Sequence, residues 1–79
     1  MIIEVLGSGC AKCESLAEKT RAAADRLGLE YDFVKVKDFN EIAKRGVLVT
    51  PALAVDGTVK VIGRVPGDEE LVEMLQPAN

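Results

Sequence analysis

The sequence contains no histidine and no tryptophan, only two cysteines, and aromatic residues at just 4%. Without histidine the chain lacks the commonest metal ligand and the commonest general base, and it can build neither a Ser-His nor a Cys-His dyad. Two cysteines are too few for a secreted scaffold stapled by several disulfides. No apolar run approaches the ~20 residues that a membrane-spanning helix needs. The basic residues are not clustered, and 10 of them against 13 acidic ones leave a net charge of −3. That balance speaks against nucleic acid or an anionic membrane as a partner. Met1 to Leu6 has no basic region, is broken by Glu4 and stops at Gly7, so it does not read as a signal peptide. A cytoplasmic setting is therefore expected.

What is present is a chain of 79 residues, 48% apolar and 29% charged, an ordinary globular balance for one small domain spanning residues 1–79. Ile2 to Leu6 is short, apolar and β-branched, and Gly7-Ser8-Gly9 follows it; this reads as a buried central strand and a loop, with Glu4 as a strand-end charge. Leu16, Ala17, Thr20, Ala23, Ala24 and Leu27 then recur at helical spacing, and Gly28 supplies the left-handed residue that ends such a helix. Leu29 to Lys37 reads as a second strand whose alternating charges suit a sheet edge. Asp38 to Glu41 has capping-box spacing for a short helix that closes at Gly46. Ala52 to Val55, Asp56-Gly57 and Thr58 to Ile62 form a hairpin pattern, because a type I′ turn needs positive φ at both central residues. Asp68-Glu69-Glu70 supplies an N-cap and acid at the start of a last helix, with Leu71, Val72 and Leu75 inside and Pro77 beyond it. The order β-α-β-α-β-β-α predicts an α/β fold: a four-stranded mixed sheet with a parallel first crossover and helices on its faces.

Chemistry concentrates at Cys10-Ala11-Lys12-Cys13, between the central strand and a helix N-terminus. Thiol–disulfide exchange needs a thiolate, and an ordinary cysteine with a pKa of ~8.5 is mostly protonated at neutral pH. The unpaired N–H groups and positive dipole end of a helix, together with Lys12, lower the Cys10 thiol; Glu14 and desolvation oppose them. Cys10 at the exposed end is read as the attacking thiol. Cys13, one turn further in with Leu16 and Ala17, is read as the thiol that resolves the mixed disulfide. A structural disulfide across so short a loop gains little, whereas half of a Cu(I) or Zn(II) site is a serious rival. Thr50-Pro51 precedes a strand expected beside the first, which would bring this turn to the Cys10 loop and leave the Thr50 backbone to pair with an extended substrate.

These residues carry a family resemblance. Gly9-Cys10-Ala11-Lys12-Cys13 after strand one, Val49-Thr50-Pro51-Ala52-Leu53 before the hairpin, the Asp56-Gly57 turn and Gly63-Arg64-Val65-Pro66 before the last helix together resemble the thioredoxin/glutaredoxin-like superfamily, in particular its small short-chain members. The resemblance implies a thioredoxin-like three-layer sandwich and a redox-active Cys10–Cys13 pair acting on protein or small-molecule disulfides. It also implies a cis Thr50–Pro51 bond facing that pair, and Gly63 as the glycine that lets backbones approach. Gly9, Ala11, Lys12, Thr50, Pro51 and Gly63 become the activating and substrate-binding set. An external reductase is implied as a partner, and neither a bound cofactor nor a metal is expected. Departures from larger thioredoxins are Ser8-Gly9 before the motif, Ala11-Lys12 inside it, and the absence of tryptophan. A Cys-x-x-Cys copper or zinc chaperone of ferredoxin-like fold is the alternative. Its strand order is β-α-β-β-α-β, its usual Met two residues before the first Cys is Ser8 here, and it has no use for Thr50-Pro51.

Overall fold

The most apolar strand lies inside the sheet. A computed structural model describes residues 1–9 and 11–76. Its elements are β1 (Ile2–Leu6), α1 (Ala11–Arg26), β2 (Asp32–Val36), α2 (Phe39–Lys44), β3 (Ala52–Val55), β4 (Thr58–Ile62) and α3 (Asp68–Leu75). The strands form one mixed sheet in the order β2-β1-β3-β4, with β1 parallel to β2 and antiparallel to β3, and β3 antiparallel to β4. This is the expected thioredoxin-like α/β architecture, with β2 at an edge.

Strand alternation divides the interior into two clusters. Ile3, Val5, Leu53, Val55 and Val61 point to one face and pack with Leu16, Ala17, Ala23 and Ala24 of α1 and Leu71, Val72 and Leu75 of α3. Leu6, Ala52 and Ala54 point to the other face and pack with Ile42 of α2 and with Val47. The buried positions of α1 are Cys13, Leu16, Ala17, Thr20, Ala23 and Ala24, the stripe its spacing predicted. Asp38 caps α2, its Oδ1 accepting from the N–H groups of Asn40 and Glu41 at 2.7 and 3.4 Å. In the β3–β4 turn Asp56 and Gly57 have φ of 50° and 84°. Asp56 also ties the turn to β1: its N–H donates to Ile2 O at 2.8 Å, and its Oδ1 accepts from Ile2 N–H at 2.7 Å.

Four features differ from the sequence reading. β2 covers Asp32–Val36 rather than Leu29 to Lys37, because β1 supplies partners only from Ile2, opposite Asp32, to Leu6, opposite Val36. Leu29 instead closes α1, donating its N–H to Ala24 O at 3.1 Å. The N-cap of α3 is Gly67, so Asp68, Glu69 and Glu70 occupy the first turn, where acids still complement the dipole. β4 carries an extra residue: Leu53 pairs with Val61 but Ala54 with Val59, which leaves Lys60 in a bulge. Glu4 is not at a strand end. It is 8% exposed, opposite Ala54 and Val34 in the middle of β1, and pairs with Arg45 at the end of α2. A lone buried carboxylate is costly, and this ion pair offsets the cost. Pro77, expected beyond α3, lies outside the described residues.

Candidate active site

Cys10 also lies outside the described residues, so the geometry of the site rests on the others. β1 ends at Leu6 because Gly7 turns the chain toward α1 while keeping one ladder bond, its N–H donating to Val36 O at 2.9 Å. Gly9 is exposed with φ of 93°, in the left-handed region that a side chain disfavours. α1 starts at Ala11, with Ala11 and Lys12 exposed. Cys13 sits in the first turn with its side chain inward, 4% exposed.

The next residue, Glu14, bridges to Lys35 of β2 at 3.2 Å. Its charge is thereby partly compensated at the sheet edge, which weakens its expected opposition to a thiolate on this helix. The pair is about half-exposed, so the effect is modest.

Gly7 brings Cys13 and the Thr50–Pro51 turn together. A Cβ on Gly7 would stand 2.2 Å from Cys13 Sγ and 3.7 Å from Thr50 Cβ. The Thr50–Pro51 bond is cis, as the resemblance implied. Pro51 O accepts the Gly63 N–H at 2.7 Å. Gly63 has φ of 78°, and a Cβ on it would lie 3.2 Å from Val49 Cγ1. Both its backbone and its lack of a side chain therefore suit glycine. Close behind, Arg64 and Glu70 pair at 2.9 Å, and the Arg64 guanidinium, helped by the Gly67 N–H, holds the Glu70 carboxyl below the usual carboxylate range.

Gly9, Ala11, Thr50 and Gly63 are exposed and could meet a substrate; Pro51 is fully buried, since it leads directly into interior strand β3. Its ring supports the surface from beneath and is not part of it. Two features were not anticipated from the sequence. Leu48, two residues before the turn, is 88% exposed and extends the apolar surface expected at Val49, itself 57% exposed. Gly7 was read only as the end of a strand, and the signal was its place beside a helix whose first inward side chain is a thiol. A cleft of about 290 Å³ between α1 and α3, lined by Glu18, Ala22, Arg26, Asp68 and Val72 among others, shares none of these site residues.

Comparison with known proteins agrees with the geometry. A thioredoxin-domain family model matches residues 1–76. The chain belongs to the thioredoxin family. It is 40% identical over 75 residues to a thioredoxin of Methanothermobacter thermautotrophicus, covering 95% of this chain and 97% of that protein. It is likewise 40% identical over 76 residues to a thioredoxin of Methanocaldococcus jannaschii, covering 96% and 87% respectively. It is thus a thioredoxin-like redox protein, and the metal-chaperone alternative is not favoured. The hairpin follows α2 and leads into α3, an order that a ferredoxin-like chaperone does not have. No helix among the described residues is long and apolar enough to cross a membrane.

Proposed function

We propose that this thioredoxin-family chain is a thiol–disulfide oxidoreductase that reduces protein or small-molecule disulfides through Cys10 and Cys13. The observation that carries this reading is the meeting of the inward Cys13 thiol with the exposed Thr50 turn across Gly7. The Cys10 thiolate attacks one sulfur of the substrate disulfide. The S–S bond breaks, and the other sulfur leaves as a thiolate that takes a proton from solvent. Cys13 gives up its proton and attacks the Cys10 sulfur of the mixed disulfide. A Cys10–Cys13 disulfide forms and the second substrate thiol is released. Two electrons have then passed to the substrate, and a thiol or dithiol reductant, delivered by an external reductase, returns them. The dithiol carries the electrons itself, so the cycle needs no bound cofactor.

Activation of Cys10 rests on the first-turn N–H groups of α1, whose first residue follows it in sequence, and on exposed Lys12. The substrate segment lies along Thr50, flanked by Gly9, Ala11, Val49 and Gly63, with Leu48 widening the apolar border. A reducing cytoplasm suits such a dithiol.

Trapping tests the roles. Cys13→Ser is expected to accumulate a mixed disulfide with a model protein substrate, Cys10→Ser to form none, and the unsubstituted protein to turn over. A reduced protein that binds one Cu(I) tightly yet reduces no disulfide would overturn the reading.

A further inference from the structure

Gly7 lies outside the Cys-x-x-Cys motif and outside the Thr50-Pro51 turn, yet it has the closest constraint of any described glycine. A Cβ placed there would stand 2.2 Å from Cys13 Sγ and 3.2 Å from Cys13 Cβ. Real Cβ atoms do not approach so closely, so a side chain at position 7 must move the sulfur or the strand. The strand resists, because Gly7 N–H is bonded to Val36 O at 2.9 Å and the preceding residues pair with both β2 and β3. Backbone conformation does not explain the glycine. The glycines with left-handed φ are Gly9, Gly28, Gly46, Gly57 and Gly63, and Gly7 is not among them. Space for sulfur is the remaining reason.

We propose that Gly7 is a positioning residue for the resolving thiol: its bare backbone is the wall against which Cys13 Sγ is seated beside Thr50. This deepens the proposed function and rests on its assignment of Cys13 as the resolving thiol. With a methyl group at position 7 the sulfur is displaced from its enclosed seat. It becomes more accessible, and its approach to the Cys10 sulfur of the mixed disulfide is misaligned. Gly67 gives the control: it also lacks a left-handed φ, but a Cβ there meets nothing within 4 Å.

The experiment measures Cys13 alkylation in a Cys10→Ser background, with and without Gly7→Ala or Gly67→Ala. Gly7→Ala is expected to raise the rate about fivefold or more, while Gly67→Ala leaves it within about twofold, since thiol reactivity follows exposure and environment. In the otherwise unsubstituted protein, Gly7→Ala should slow decay of the mixed disulfide and leave its formation by Cys10 little changed. Thermal melting supplies a second measure. The loss caused by Gly7→Ala should shrink by about half or more in a Cys13→Ala background, because neighbouring groups that clash are non-additive. If Gly7→Ala alone does not fold, the Cys13→Ala double variant should. Equal alkylation rates with equal melting losses in both backgrounds, or a double variant that also fails to fold, overturn the proposal. The alkylation and melting readouts need no disulfide-reducing activity. A failure here with normal turnover in the unsubstituted protein leaves the proposed function standing; the reverse pattern rejects that function and leaves Gly7 as the seat of a buried thiol with no resolving role.

Discussion

The two faces of the sheet are covered very differently. Ile3, Val5, Leu53, Val55 and Val61 lie beneath both long helices, α1 and α3. Among the described residues the opposite face has only the six-residue α2, whose buried residue is Ile42, with Val47 beside it. Side chains that the first face would enclose are left in solvent on the second: Ile2, Val34 and Ile62 are about half-exposed there, and the flanking Phe39 and Leu48 far more so. Polar groups differ in the same sense. The thick side buries Thr20 completely, with its Oγ1 unpartnered among the described residues, whereas the thin side holds the Glu4–Arg45 ion pair. Stability is thus concentrated on one face. The other trades apolar cover for one charged tie between β1 and the segment that leads, through Val47, to the Thr50 turn.

Truncations should separate the faces most clearly. Leu53→Ala, at a fully buried position under two helices, is expected to cost about 3–5 kcal/mol by chemical denaturation, and Ile42→Ala about 2–3, because the thin side can relax or admit water. Equal costs would break the comparison. Next in size, Arg45→Leu should cost about 1–3 kcal/mol by leaving the Glu4 carboxylate without its partner, between the values for exposed and buried pairs. Adding Glu4→Leu should recover part of that loss, and a simple sum of the two single costs would show that the pair does not couple. The smallest effect has the opposite sign. Thr20→Val replaces an unpartnered hydroxyl with a methyl group of similar volume, and is expected to stabilise by up to about 1 kcal/mol. A loss would mean that the hydroxyl is satisfied in solution.

How much was legible in the sequence follows from where each cause lies. The Asp56-Gly57 turn, the Asp38 cap, the Gly28 stop and the stripe from Leu16 to Ala24 are set by neighbours within a few residues, and each appears where expected. The length of β2, the Lys60 bulge and the Arg45 partner of Glu4 depend on strands or helices distant in sequence, and local pattern misplaced or missed them. The site divides the same way. Thr50, Pro51 and Gly63 stand out in the sequence because they belong to a recognisable set, and the inward placement of Cys13 because its helical phase points to the core. Gly7 was missed because its reason is a sulfur six positions away that only the folded chain brings against it.

Asp56 has a further consequence. Its two hydrogen bonds to Ile2 cross a sequence separation of 54 residues and fasten the end of β1 opposite the site. β1 meets β2 about thirty residues on and β3 about fifty, and pairings at that range form slowly because a long loop must close before any contact rewards it. The thiol seat shared by Gly7, Cys13 and Thr50 is therefore complete only when the hairpin has docked on β1. A chain that has formed α1 alone carries both cysteines but has no wall behind the second one.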